Sequence, residues 1–256
     1  MPVGSSAVSS PRSRAKPGSS HGRAASVSPE TDRGPGRLSV VATPIGNLED
    51  VSRRAERTLR ECDAVVAEDT RRTRTLLRSL GIDRPVLSLP AFDEERRVPA
   101  LLERLEGGQH LALCTDAGTP AISDPGSRLV AAAVGAGVAV SVLPGASAVT
   151  AAVSGSGLGG GGGFVFLGFL PRSPGRLRRS LESALELGLP VVVFEAPNRL
   201  ARTLELGGEI LAERPITVAR ELTKVHETFH RGTARELAEE FRRQPPRGEC
   251  TLVIGT

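Results

Sequence analysis

The sequence predicts an α/β protein made of two α/β domains with a ligand cleft between them. Three observations predict it. Short apolar runs alternate along the chain with stretches of helical period, the pattern of mostly parallel, doubly wound sheets. A glycine-rich stretch, GSGLGGGGG (155–163), interrupts the alternation once, and the alternation resumes beyond it. The length, 256 residues, suits one large or two small domains.

Residues 1–37 are rich in Ser, Pro, Gly, Arg and Ala and poor in large apolar side chains. Such a segment cannot bury enough surface to offset its ordering entropy, so a disordered tail is expected there. LSVVA (38–42) reads as a strand that ends in a Thr-Pro-x-Gly-Asn turn. Residues 51–61 keep Val51, Ala55 and Leu59 on one face and their arginines elsewhere, an amphipathic helix. AVVA (64–67) is a second strand, and Thr70 is the expected cap of a helix ending at Gly81. VLSL (86–89) is strand-like, 94–106 helical, and HLALC (110–114) a buried strand. Asp124 and Pro125 form an N-cap and N1 pair for the next helix. VAVSVL (138–143) is a strand, followed by a small-residue helix from Ala146. Beyond the glycines come strands at 164–170 and 191–196, each followed by a helix, then a strand pair at 216–222 and 226–232. A helix at 233–243 and a last strand at 250–255 complete the chain. The expected division is a tail over 1–37, an N-terminal α/β domain over 38–157, a hinge over 158–163 and a C-terminal α/β domain over 164–256.

Composition excludes several classes of protein. The net charge is +4, but 6 of the 33 basic and 2 of the 29 acidic residues lie in 1–37, which leaves 27 of each beyond. Any basic surface on 38–256 must come from arrangement rather than surplus. No run of 18 apolar residues exists, so no membrane span is expected. The N-terminal segment has no apolar stretch resembling a secretory signal. Three cysteines, Cys62, Cys114 and Cys250, lie far apart, which suits a reducing compartment and neither a disulfide framework nor a zinc site. With no Trp or Tyr and seven Phe, aromatic stacking on bases is sparse.

Loops that follow strands in such sheets are where ligands bind. The loop 115–126 is twelve residues long, with Gly118 and Gly126 for close backbone approach and Asp116, Thr119, Ser123 and Asp124 for polar contacts. A plain turn and helix cap would account for its second half but not for DAGTP. Pro144-Gly145-Ala146-Ser147 follows the next strand and is either part of the same pocket or a plain turn. Neither loop matches GxGxxG or GxxxxGK[ST], which disfavours a Rossmann dinucleotide site and a P-loop. Glu68 and Asp69 at a strand end could act as a base or compensate a helix N-terminus. Adjacent strand residues point apart, so a shared metal is not expected. Arg53, Arg54, Arg57 and Arg60, with Arg71, Arg72, Arg74 and Arg78, form either a phosphate-binding face or a solvated helix surface. His226 and His230 would sit too far apart on a strand to share a metal. Lys224, the single lysine outside the tail, is either a donor toward a ligand or an ordinary surface residue.

In chain order, VATPIGNLED (41–50), AEDTRRTRTLL (67–77), DAGTPAISDPG (116–126), LPGASA (143–148), FLGFLPR (166–172), VVFEAPNRL (192–200) and ARELTKVHE (219–227) resemble the tetrapyrrole-methylase superfamily of S-adenosylmethionine-dependent methyltransferases. ATPIGNL stands where the cobalamin and sirohaem branches usually carry GxGPGD, and it is similar to the branch that methylates the 2′-oxygen of a cytidine in the decoding region of 16S rRNA. The resemblance implies a tetrapyrrole-methylase-like fold with S-adenosylmethionine in the cleft. It implies contacts from Asp116, Ala117, Gly118 and Thr119, from Ala146 and Ser147, and from Phe194 and Ala196 around Glu195. It further implies a cytoplasmic homodimer acting on 16S rRNA in the small ribosomal subunit, with no metal. Glu68 and Asp69 are then candidates for the base, Lys224 for steadying the oxygen or a phosphate, and Arg53, Arg57, Arg71 and Arg74 for RNA contact. The chain departs from the family at Asn198, where a His is frequent, at Glu49, where a Gly is frequent, and at GLGGGGGF (157–164). The rival expectations are a tetrapyrrole methylase and a non-catalytic S-adenosylmethionine-binding protein.

Overall fold

The structure, a computed structural model, describes residues 35–159 and 161–256. The expected tail falls outside the described residues up to position 34, as does Gly160 of the expected hinge. The first half of the described chain builds β1 (Arg37–Val41), α1 (Arg53–Glu61), β2 (Ala64–Ala67), α2 (Thr70–Ser79), β3 (Val86–Ser88), α3 (Glu94–Glu106), β4 (His110–Cys114), α4 (Ser127–Gly135) and β5 (Ala139–Leu143). The five strands form one parallel sheet in the order β3-β2-β4-β1-β5. Its central strands are mostly apolar and buried because both faces are covered, with Ser39 of β1 a buried exception. Leu38, Val40, Val66, Leu111 and Leu113 meet Leu101, Leu105, Leu129 and Ala133 of α3 and α4. Val41, Val65, Ala112 and Cys114 meet Ala55, Leu59 and Leu77 of α1 and α2 on the other face. Cys62, Cys114 and Cys250 are free and buried, and burial pushes the Cys62 and Cys250 thiols up to about 11. His110 is structural: Arg37 Nη2 donates to its Nδ1 at 3.0 Å and its Nε2 lies 2.9 Å from Ser39 Oγ.

α5 (Ala148–Ser156) then packs on the second sheet, not the first, with Val149 and Ala152 against Val192, Ala219 and Val253. The chain therefore crosses between sheets at 144–147, before the glycine run. β6 (Val165–Phe169), α6 (Pro174–Leu185), β7 (Val191–Glu195), α7 (Leu200–Leu211), β8 (Ile216–Arg220), β9 (Thr228–Gly232), α8 (Ala234–Arg243) and β10 (Cys250–Ile254) follow. The sheet order is β6-β7-β10-β8-β9, with only β6 and β7 parallel. The mostly parallel pattern of the first sheet does not extend to the second. The seven residues between β8 and β9 are too few for a crossover, and β10 inserts antiparallel between β7 and β8. Helices α6, α7 and α8 cover one face through Leu177, Leu181, Leu200, Leu204, Leu237 and Phe241. The other face carries α5 and, beside it, Phe166 and Phe194.

Two helix caps differ from expectation. Asp69, not Thr70, caps α2, its Oδ1 accepting from the Arg71 N–H at 2.8 Å. Asp124 does not cap α4. That helix starts after Gly126, in the left-handed region at φ 119°, and the Gly126 and Arg128 N–H groups donate to Glu94 Oε1 at 2.9 and 3.0 Å. A carboxylate from α3 thus closes the end of α4 and leaves Asp124 free to face elsewhere. Glu94→Ala should strip one buried and one part-buried donor of their acceptor and cost about 1–3 kcal/mol, read as a lowered urea midpoint at unchanged slope. Glu94→Gln, which keeps an acceptor, should recover most of the loss.

Candidate functional site

The parallel sheet aims all its C-terminal strand ends at one side, and two of those ends are tied together. The Thr43 N–H donates to Gly118 O at 2.9 Å and the Gly118 N–H to Thr43 O at 3.1 Å. Thr43 Oγ1 also donates to Thr115 O at 3.1 Å, and Thr119 Oγ1 to Ala146 O at 3.2 Å. Gly118 takes φ 87°, and a Cβ there would stand 3.4 Å from Ile45 Cγ2. The loop also holds Ala121 and Ser123 in the left-handed region, at φ 66° and 63°, a strained arrangement of the kind that persists at ligand sites. Ser123 reaches β6, where a Cβ on Gly168 would crowd its Oγ at 2.8 Å.

Between this loop and the second sheet lies a cavity of about 440 Å³, within the usual range for a small-molecule site. Ile122, Val149, Phe169 and Phe194 form its apolar wall, with Phe194 5.0 Å from Phe166 edge to face and 5.5 Å from Phe169. Glu68, Asp116, Asp124, Glu195 and Glu249 bring carboxylates to it, and Arg72 brings a guanidinium. Burial, then the charges of Glu68 and Asp116, push Asp124 up to about 6 against an opposing hydrogen bond from Thr115. Burial likewise raises Glu68, helped by Asp116 and opposed by Thr115 Oγ1, which donates to Oε2 at 3.2 Å. Asp116 is held in place, Oδ1 accepting from the Asp69 N–H at 3.1 Å and Oδ2 lying 3.5 Å from Arg72 Nε. Glu195 is different. Buried at the end of β7, it is satisfied by Thr203 Oγ1 at 2.6 Å, the Ala196 N–H at 2.8 Å and Arg199 Nε at 3.2 Å. It anchors the Phe194–Ala196 strand end rather than offering charge to a ligand.

Of the residues expected at a ligand, Asp116, Ala117, Gly118, Thr119, Ser147, Phe194 and Ala196 line this cavity. Ala146 stands behind it, giving its carbonyl to Thr119. Glu68 lines it, but Asp69 does not. Asp69 is spent on capping α2 and on Arg71, whose Nη2 lies 2.9 Å from its Oδ2, and this bonding lowers it to about 2. Asp69 is thus engaged by its own neighbours, and of the two carboxylates it is Glu68 that faces the cavity. Arg53, Arg57, Arg71 and Arg74 are exposed outside the cavity. Arg72, Phe169, Ile122 and Thr251 also line it; Arg72 was expected only as part of a phosphate-binding or solvated helix face, and the other three were not among the residues expected to bind. The helical spacing of Arg72, Thr75, Leu76 and Ser79 on α2 was the available signal for the first.

A second cavity, about 320 Å³, adjoins the first and shares Ile45, Arg72, Asp116, Ala117 and Glu249 with it. Pro44, Gly46 and Leu48 wall it on one side, Thr75, Leu76 and Ser79 of α2 on another, and Lys224 on a third. Lys224 Nζ sits 2.7 Å from Glu221 Oε1 and 2.8 Å from Glu249 Oε2. Burial opposes its charge, but these two bonds outweigh it and keep its pKa raised. His230 lies on β9 and pairs with Glu240 at 2.6 Å, while His226 sits in the preceding turn. Among the described residues no group of three His, Cys, Asp or Glu converges as metal ligands, and no helix is long and apolar enough to cross a membrane.

The same arrangement of halves recurs in known proteins. A uroporphyrin-III C-methyltransferase from Thermus thermophilus, solved with S-adenosylhomocysteine, has a TM-score of 0.61 at 20% identity, over 86% of this chain and 97% of that one. A ribosomal RNA small subunit methyltransferase I from Thermotoga maritima is 45% identical over 219 residues, 86% of this chain and 98% of that protein. One of the same name from Synechocystis is 45% identical over 220 residues, 86% of this chain and 78% of that protein. The family model described as tetrapyrrole (corrin/porphyrin) methylases matches residues 37–238. With that span and those identities, the chain belongs to the tetrapyrrole methylase family.

Proposed function

We propose that this protein is an S-adenosylmethionine-dependent methyltransferase that methylates the ribose 2′-oxygen of a cytidine in the decoding region of 16S rRNA, acting in the cytoplasm as a homodimer on the small ribosomal subunit. The observation that carries this reading is the 45% identity, over nearly the whole length of the Thermotoga maritima protein, to a small-subunit rRNA methyltransferase. The first cavity fits the donor on chemical grounds. S-adenosylmethionine supplies a methyl group already activated on a positively charged sulfur. Glu68, Asp116 and Asp124 give the cavity a negative wall suited to that charge, and Phe169, Phe194, Ile122 and Val149 give a dry wall suited to a purine and its alkyl chain. Asp116, Ala117, Gly118 and Thr119, with Ser147, Phe194 and Ala196, would hold it.

The 2′-hydroxyl is a weak nucleophile, so a positioned base helps. Glu68 meets the need better than Asp69, because burial raises its affinity for a proton and it lines the cavity. Proximity supplies much of the remaining catalysis. A 2′-oxygen target also separates RNA from DNA. The deciding experiment supplies labelled S-adenosylmethionine with small subunits or with uroporphyrinogen. Label in 16S rRNA, located to a cytidine 2′-oxygen by mass spectrometry, supports the reading. Label in the tetrapyrrole alone overturns it, and donor binding without any transfer marks a sensor.

Two further outcomes are expected. Asp124 takes a proton below about pH 6, so donor affinity should fall between about pH 7.5 and pH 5 as the cavity loses negative charge. S-adenosylhomocysteine, with a neutral sulfur, should show a shallower dependence by calorimetry, and equal slopes would remove Asp124 from the donor site. Its folded pKa lies above the unfolded one, so its charge costs stability as pH rises through that window. Asp124→Asn should accordingly raise Tm at neutral pH while weakening donor binding. Arg71 and Arg74 are exposed at the head of α2. Replacing both by Gln should lower the salt slope of subunit binding by about 0.7–0.9 per lost phosphate contact and leave donor affinity intact. An unchanged slope would place the RNA footprint elsewhere.

A further inference from the structure

We propose that the second cavity receives the target nucleoside, turned out of the RNA, and that Glu249 and Lys224 read the edge of its base. The inference rests on the rRNA methyltransferase reading above. Transfer between two bound molecules needs the reacting atoms within about 3–3.5 Å. The acceptor must therefore lie next to the donor cavity, and the second cavity adjoins the first, sharing Ile45, Arg72, Asp116, Ala117 and Glu249 with it.

Charge decides which part of a nucleotide enters. Arg72 and Lys224 line the pocket together with Asp116 and Glu249, and both cations are already paired, Arg72 with Asp116 and Lys224 with Glu249 and with Glu221 outside the lining. Such a pocket disfavours a phosphate and accepts the uncharged sugar and base, with the phosphates left outside by the exposed Arg71 and Arg74. Ile45, Leu48 and Leu76 offer apolar contact to a base face.

The Glu249–Lys224 pair then sets which base. Lys224 Nζ has three protons and spends two on Glu221 and Glu249. Glu249 uses Oε2 on Lys224 and keeps Oε1 as an acceptor. An acceptor beside a donor matches a base with an exocyclic amine next to a ring acceptor, as in cytosine or adenine. Carboxylate-to-amine pairing of this kind selects cytosine elsewhere. Uracil would turn its O4 toward the carboxylate and be repelled.

The pair is also built into place. Glu221 and Thr223 adopt φ 51° and 66°, unfavourable for residues with a Cβ. A Cβ on Gly46 would overlap Lys224 Cγ, and one on Gly248 would overlap the Glu221 carboxylate. Two close approaches and a strained turn thus fix where Nζ stands, the kind of support a specificity element requires.

The test measures methyl incorporation into small subunits that carry cytidine at the target and into subunits reconstituted with uridine there. The Glu249→Gln amide can donate to O4 as well as accept from an amine. It should narrow the cytidine-to-uridine rate ratio about tenfold, and that ratio cancels any change in donor affinity. Thr75→Trp, at an exposed position that lines only the second cavity, should abolish incorporation while calorimetry shows donor affinity unchanged. An unaltered ratio in Glu249→Gln, or full activity in Thr75→Trp, overturns the inference. Failure of the unmodified protein to label cytidine subunits overturns the methyltransferase reading itself, and the inference with it.

Discussion

Everything at the site hangs from the pair of backbone hydrogen bonds between Thr43 and Gly118. They join the ends of two neighbouring strands, β1 and β4, into one rigid platform. On its one side the platform fixes Ile45 and Gly46, against which the turn carrying Lys224 packs. On the other it fixes Asp116 and Thr119, which face the two cavities and the Ala146 carbonyl. Thr43 is buried, so these bonds face no competition from water and are costly to leave unmade. A side chain on Gly118 would have to adopt a left-handed backbone as well as approach Ile45.

The electrostatics follow from the same geometry. Two loops at one side of a parallel sheet, those after β2 and β4, bring together Glu68, Asp116 and Asp124 with Arg72. Burial first, and then the charge of neighbouring carboxylates, raises the proton affinity of Glu68 and Asp124. Those on the periphery are neutralised by their own partners: Asp69 by Arg71, Glu195 by Arg199 and Thr203, Glu94 by two backbone N–H groups. The charge left unspent, on Glu68 and Asp124, lines the first cavity.

Much of this was legible in the sequence. Buried strands betray themselves as apolar runs, and helices such as α1 by their period. The order of strands and helices was read nearly residue for residue. Loop 115–126 was marked by glycines and by length that a turn does not need, whereas 144–147 read equally as a plain turn, and Asp116 to Thr119 do line the cavity. What escaped was tertiary. The cap of α4 is Glu94, 32 residues earlier, whereas Asp124 beside that helix is a local partner that sequence reasoning prefers. The antiparallel course of β10 leaves no mark in CTLVI, since an apolar run does not encode direction. Arg72 and Arg71 are equivalent as letters. The helix turns one toward the cavities and the other toward the cap, a difference of about 100° that only the placement of α2 reveals.

The five strands of the first sheet precede residue 144 and the five of the second follow residue 164, so a single passage of chain, 144–147, joins the two. α5 belongs with the later sheet. A break opened between Leu143 and Ala148 would leave two fragments, each owning a complete sheet with its covering helices, whereas a break in the glycine run would tear α5 from the strands it shields. The protein is in this sense already divided for reassembly from separately made pieces. Because each piece brings one wall of the cavity, methyl transfer would itself report that the two had met.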